Sequence, residues 1–258
     1  MILHKIHFKN SYLNTSYLLK DDFSNEAIII DVPEEPFPII EVIEKLNVKI
    51  KLVLLTHHHL DHAGGLPVLR EKYDFQVALG KADCRSTPTE RVAFVEPDIE
   101  ISDGDNFYIG KEKIQSITVP GHTLGSNCFL IENNLFSGDV LFPGRAGITD
   151  SADQFKLTIR SLKEKIYVLN DDIEFFPGHG EGGGQCVGGS ADDPGFHRND
   201  QLRSGTKRAA QAALGDRGDG EHLRARRHGR KDAERGQRSR HQAITRRFRD
   251  GLFVARLS

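Results

Sequence analysis

The run Thr56-His57-His58-His59-Leu60-Asp61-His62-Ala63-Gly64-Gly65 places four histidines and a carboxylate within six positions, directly after the apolar segment Lys51-Leu52-Val53-Leu54-Leu55. A short apolar run with a β-branched residue reads as a buried strand. Leu66 to Tyr73 reads as a helix with Pro67 in its first turn, where the missing N–H costs little. The motif therefore belongs on a strand-to-helix loop. In extended chain His57 and His59 project to one side and His58 to the other, so two imidazoles can converge on one ion. Past the turn, Asp61 and His62 can reach a second point. Neutral imidazole and carboxylate suit zinc, iron or manganese. A lone histidine is usually a hydrogen-bonded core or surface residue, and an aspartate here could cap a helix. Five such residues together imply a metal, and a metal implies further ligands downstream.

Lys113 to Val119 reads as a strand ending at Pro120-Gly121-His122-Thr123-Leu124-Gly125-Ser126, where proline and glycine bend the chain and leave His122 at a loop tip. Cys128 to Ile131, a turn at Glu132-Asn133-Asn134, and Leu135 to Ser137 read as a hairpin that delivers Gly138-Asp139. Ile173 to Phe176, another strand, runs into Pro177-Gly178-His179-Gly180. His122, Asp139 and His179 each follow a strand beside Gly or Pro. With His57, His59, Asp61 and His62 they make seven candidate ligands.

Residues 1–180 resemble the metallo-β-lactamase-fold superfamily, and within it the small hydrolases similar to glyoxalase II, through HxHxDH (His57 to His62), GHTxGS (Gly121 to Ser126), SGD (Ser137 to Asp139) and PGHG (Pro177 to Gly180). The resemblance implies an α/β fold, an αββα sandwich of two mixed sheets flanked by helices. It implies that His57, His59 and His122 hold one divalent metal, that Asp61, His62 and His179 hold another, and that Asp139 bridges them. It also implies that His58 is not a ligand. Zinc is the expected metal, with iron or manganese as alternatives.

Two metals about 3.5–4 Å apart can share a water, lower its pKa and polarise a carbonyl. The expected activity is therefore hydrolysis of an activated acyl bond, and family likeness selects a small-molecule thioester of the hydroxyacylglutathione type. Asp61 and Asp139 would serve chiefly as ligands, either of them placed to orient the shared hydroxide or carry a proton. Cys84, Cys128 and Cys186 show no paired spacing, so neither a disulfide framework nor a zinc ribbon is indicated. After Asp139 the related short hydrolases show a glycine-rich turn followed by Arg-Thr-Asp. Here Ile148 stands where that arginine is expected, and Arg145 is the nearby positive charge available to an anionic substrate. Two other functions fit the resemblance. Persulfide dioxygenases, similar in fold and motif, hold a single iron on residues matching His57, His122 and Asp139. A fold member with weak catalysis could instead contact nucleic acid through a basic tail.

That tail is the second conspicuous feature. Residues 1–180 hold 13 Lys, 5 Arg, 19 Ile and 9 Asn, whereas residues 181–258 hold 2 Lys, 15 Arg, 1 Ile and 1 Asn. Net charge is −9 in the first part and +7 in the second, so the overall −2 conceals opposed parts. Arginines attract phosphate, but the tail lacks aromatic spacing for stacking on bases, and nucleic acid is not an expected partner. Abundant Gly and Arg with few apolar residues predict disorder. The shift from residues with AT-rich codons to residues with GC-rich codons points to a frameshifted or chimeric segment. The expected organisation is a hydrolase domain at 1–180 and a tail at 181–258. His179, one residue before the join, is expected on a weakly anchored end, with the second metal held weakly.

Elsewhere, Ile2 to Phe8 and Thr15 to Leu19 read as an opening hairpin, Ala27 to Ile30 as a buried strand ending at Asp31, and Ile39 to Leu46 and Ala152 to Ile166 as amphipathic helices. Strands alternating with helices define the α/β class. No apolar run approaches membrane-span length and no signal segment opens the chain, so a soluble cytoplasmic protein is the expectation.

Overall fold

The computed structural model describes residues 1–170 and 172–180. The expected tail at 181–258 lies outside the described residues. The chain opens with an antiparallel hairpin, β1 (Ile2–His7) and β2 (Thr15–Lys20), followed by β3 (Glu26–Ile30). Helix α1 (Phe37–Leu46) then crosses to β4 (Lys49–Leu54). Pro36 and Pro38 set its start, and Asn47 stops it in the left-handed conformation, its N–H returning to the carbonyls of Ile43 and Glu44. Two short helices, α2 (Leu60–Ala63) and α3 (Leu66–Arg70), precede β5 (Gln76–Gly80), and β6 (Ile99–Ile101) completes a six-stranded sheet in the order β1-β2-β3-β4-β5-β6. From β3 to β6 the neighbours are parallel.

The second sheet is built from β7 (Asn106–Ile109), β8 (Glu112–Thr118), β9 (Asn127–Ile131) and β10 (Asn134–Gly138) in antiparallel succession. A small hairpin, β11 (Leu141–Phe142) and β12 (Arg145–Ala146), leads to α4 (Ala152–Ser161). The last strand, β13 (Glu174–Pro177), returns parallel to β10, giving the order β13-β10-β9-β8-β7.

Three apolar layers follow from the two-residue period of these strands. In β3, Ala27 and Ile29 face the layer shared with α1, while Ile28 and Ile30 face the other sheet. In β4 the phase switches: Ile50 joins the α1 side and Leu52 the inter-sheet side, because Lys51 is the extra residue of a bulge opposite Ala27 and Ile28. Phe129 and Phe136 fill the middle layer, and their neighbours Cys128 and Leu135 face the outer layer beyond the second sheet, with Leu162 and Ile166. The result is the αββα arrangement.

Two elements differ from expectation. The helix expected over Leu66 to Tyr73 stops at Arg70, and a separate helical turn forms inside the histidine motif, where Ala63 N–H reaches His59 C=O and Gly64 N–H reaches Leu60 C=O. The helix expected over Ala152 to Ile166 is α-helical only to Ser161, after which the chain makes a wider turn, with Tyr167 N–H bonded to Leu162 C=O. No helix among the described residues is long and apolar enough to cross a membrane.

Candidate metal centre

All seven expected ligands leave the C-terminal ends of strands. The segment after β4 carries His57, His59, Asp61 and His62; the turns after β8, β10 and β13 carry His122, Asp139 and His179. Three groups of convergent side chains form: His57, His59 and His122; His57, His62 and Asp139; and Asp61, His62 and His179. His58 turns away, as its alternate position requires, and bonds through Nδ1 to Asp83 C=O (3.2 Å) and Ser86 Oγ (3.0 Å).

In the first group, His57 Nε2 lies 3.0 Å from His59 Nδ1, and His122 Nε2 lies 3.2 Å and 3.1 Å from those two atoms. The outer nitrogens show why the His57–His122 contact is not an ordinary hydrogen bond. His122 Nδ1 faces Ile148 C=O at 2.6 Å, an acceptor, so Nδ1 carries the proton and Nε2 presents a lone pair. Thr56 Oγ1 donates to Asp31 Oδ2 (2.8 Å) and therefore accepts from His57 Nδ1 (3.1 Å), again leaving Nε2 bare. A tetrahedral zinc site with Zn–N of 2.0–2.1 Å has ligand-to-ligand edges of about 3.3 Å. The three imidazoles already stand close to that spacing.

The group of Asp61, His62 and His179 repeats the pattern with carboxylates added. His62 Nδ1 donates to Asp31 Oδ2 (2.9 Å) and His179 Nδ1 to Tyr12 C=O (2.9 Å), so their Nε2 atoms meet at 3.0 Å as two lone pairs unless a proton or a metal lies between them. Asp61 Oδ2 is 3.3 Å from His179 Nε2 and 3.8 Å from His62 Nε2. Asp139 spans the groups: Oδ2 is 3.1 Å from His179 Nε2 and 3.7 Å from His122 Nε2, and Oδ1 is 3.4 Å from His62 Nε2. Asp139 Oδ1 is buried without a hydrogen-bond partner, an expensive state for a carboxylate oxygen unless a cation meets it. Gly138 delivers Asp139 at a φ of +49°, and a side chain there would collide with Thr56.

Electrostatics divide the site. Burial, and then the His62 and His122 imidazoles, push His57 well below the ordinary histidine range. Burial first, then His122 and His58, take His59 down to about 3. Burial likewise lowers His122. For His62 burial acts in the same direction, but the Asp139 and Asp31 carboxylates outweigh it and raise the imidazole well above its ordinary value. His179 is raised against burial by Asp139. Burial would raise Asp139, yet the surrounding imidazoles, His62 foremost, hold it well below the carboxylate range.

Residues that sequence reasoning missed set these orientations. Asp31, in the left-handed conformation at the end of β3 (φ +60°), accepts from Thr56 N–H (2.7 Å), Thr56 Oγ1 and His62 Nδ1. An aspartate closing the apolar run Ile28-Ile29-Ile30 was the available signal. Asn14 Nδ2 bonds Asp61 C=O (2.9 Å) and Oδ2 (3.3 Å). Arg91, on the rim, pairs with Asp150 at 3.4 Å and its charge bears on His59 and His122. Arg145 lies on β12, exposed, with its guanidinium 4.4 Å from the centre of the Phe142 ring.

The expected weak anchoring of His179 is corrected by the structure. Thr15 N–H bonds Gly178 C=O (2.8 Å), Gly178 N–H bonds Gly138 C=O (2.9 Å), and Gly180 N–H bonds Leu13 C=O (3.0 Å). Tyr17 donates its hydroxyl to Pro177 C=O at 2.6 Å from within an aromatic cluster with Phe136 and Phe176. The anchor comes from the N-terminal hairpin, a partner too distant in sequence to be read from the residues beside His179.

Comparison with known proteins gives the family. A model of the metallo-beta-lactamase superfamily matches residues 12–203. The chain belongs to the metallo-beta-lactamase superfamily. Within that superfamily, the hydroxyacylglutathione hydrolase of Pelagibacter ubique (strain HTCC1062) is 40% identical over 131 residues, 50% of this chain and 52% of that protein, so this chain spans about half the length of that relative. Hydroxyacylglutathione hydrolase GloC of Haemophilus influenzae (strain ATCC 51907 / DSM 11121 / KW20 / Rd) is 33% identical over 178 residues, 63% of this chain and 84% of that protein. The crystal structure of the B3 metallo-beta-lactamase BLEG-1 superposes with a TM-score of 0.63 at 26% identity, covering 69% of this chain and 92% of that one.

Proposed function

We propose that this chain is a metal-dependent hydrolase with a dinuclear centre that cleaves an activated acyl bond, a thioester of the hydroxyacylglutathione type. The observation that supports this reading is the gathering of imidazole nitrogens and the orphaned Asp139 oxygen in three overlapping groups. His57, His59 and His122 would hold one ion and Asp61, His62 and His179 the other, with Asp139 between. Zinc suits the nitrogen-rich donor set, with iron or manganese also compatible. When bound, such ions supply Lewis acidity and activate water at neutral pH.

The protein's own part is positioning. Ile148 C=O, Thr56 and Asp31 fix the tautomers of His122, His57 and His62, so each presents its bare nitrogen inward. Asp139, held ionised by the imidazoles around it, supplies charge that both points share. Asp61, partly exposed, is the carboxylate placed to orient the attacking water or to carry its proton outward. The two hydroxyacylglutathione hydrolases above support the substrate class. Arg145, on the rim beside Phe142, is the proposed contact for an anionic substrate group. A small-molecule substrate in the cytoplasm completes the reading. Retention of Asp61, His62 and His179 around a second point favours this over a mononuclear iron dioxygenase.

Metal stoichiometry of the purified full chain, paired with a hydroxyacylglutathione hydrolysis assay, tests it. Two ions per chain and thioester cleavage lost on chelation are expected. One iron per chain with oxygen uptake on a persulfide would overturn it.

A further inference from the structure

Asp83 is buried, lies outside the seven ligands, and sits in the turn that follows β5. Its carboxylate is directed at the segment that carries His122: Oδ2 accepts from Thr123 Oγ1 at 2.7 Å and Oδ1 from Gly125 N–H at 2.8 Å. Because the Thr123 hydroxyl proton goes to Asp83, Ser126 Oγ donates to Thr123 Oγ1 (2.7 Å) while accepting from Thr123 N–H (3.0 Å). The Thr-x-Gly-Ser part of the motif thus closes on this one carboxylate. The approach needs glycine: a side chain at Gly125 would meet the Asp83 carboxylate carbon at 2.6 Å.

The backbone of the same residue grips the other ligand segment. Ser86 Oγ donates to Asp83 C=O (2.9 Å) and so accepts from His58 Nδ1, which also reaches that carbonyl. His58 stands between His57 and His59, and its own carbonyl is held by Ala93 N–H at 2.9 Å. One residue therefore touches both pieces of chain whose imidazoles must meet within 3.2 Å.

We propose that Asp83 is a positioning residue for the three-imidazole pocket, tying the His122 turn to the His57–His59 segment, with His58 as the second half of the tie. This rests on the reading of the site as a metal centre and adds a division of labour to it: Asp83 serves the first pocket and Asp31 reaches the second. His58 then has a role without being a ligand. None of the Asp83 contacts involves Asp61, His62 or His179.

The test is zinc titration of the full chain in two backgrounds, His179→Ala, which leaves the first pocket whole, and His59→Ala, which leaves the second. Asp83→Ala is expected to weaken zinc binding by about 10- to 100-fold in the first background and to leave it unchanged in the second. Asp83→Asn, which keeps an oxygen for Gly125, should weaken it less. Thr123→Val removes only the hydroxyl and is expected to act in the first background alone, which keeps the question open to measurement if Asp83→Ala does not fold. Equal weakening in both backgrounds, or none in either, from a folded variant overturns the tie. If neither background binds zinc before Asp83 is changed, the metal-centre reading itself falls.

Discussion

The two pockets use the same imidazoles in opposite ways. Around His57, His59 and His122 burial and neighbouring imidazoles outweigh the pull of Asp139, and all three rings lose proton affinity, His59 to about 3. Around His62 and His179 the neighbours are Asp31, Asp61 and Asp139, and both rings gain it. The first pocket therefore holds uncharged imidazoles at neutral pH. In the second, protons bind more tightly and compete better with a metal. Ligand identity does not fix ligand readiness; the neighbouring charges do.

The largest test of this contrast is Asp139→Asn, because Asp139 is the group that faces both pockets. Removing its charge is expected to cut thioester turnover on the order of 10³-fold, about 4 kcal/mol of transition-state stabilisation, and to lower metal content below two per chain. Full retention of both ions would break the shared-ligand reading. Next comes Asp31→Ala. Asp31 touches His62 directly but reaches His57 only through Thr56, so metal affinity should fall about 10- to 100-fold in the second pocket and less in the first. Isothermal titration of the two binding steps would show which loses more.

The pH dependence should separate the pockets without mutation. A group with raised proton affinity keeps its proton to higher pH, so protons compete at His62 and His179 already above the ordinary imidazole value of 6.5. At His59 they compete only near pH 3. Acidification from neutral pH should release the ion at His62 and His179 first. Simultaneous loss of both ions on acid titration would contradict the contrast. The smallest effect is expected from Arg145→Ala. The exposed guanidinium over Phe142 contributes about 0.5–1 kcal/mol, so metal content should hold, with any change confined to KM for anionic substrates. Altered metal content on equilibrium dialysis would place Arg145 closer to the second pocket than its contacts indicate.

Much of this is legible in the sequence alone. The strands at 113–119 and 128–137, the opening hairpin and the turns after them follow from apolar alternation and from Gly and Pro punctuation, because those signals are local. His58 was separable from His57 and His59 for the same reason, since alternation of side chains is a property of extended backbone alone. The helical turn at Leu60–Ala63 was not legible. A helix of four residues has no periodicity to read, and here the segment is tied to the chain after β3, with Val32 N–H bonded to His62 C=O. The bulge at Lys51 escaped for a similar reason: it is a relation between two strands, visible only once Ala27 has a partner.

The sequence by itself determined which atoms could bind metal and that they would leave strand ends, because donor chemistry and turn chemistry belong to individual residues and their neighbours. Only the tertiary structure decided how those donors behave. Asp31 is 31 residues from His62, Asp83 is 40 from Thr123, and Tyr12 is 167 from His179. Proton affinity, tautomer and anchoring depend on distance in space, and folding sets that distance across sequence separations that no local pattern records.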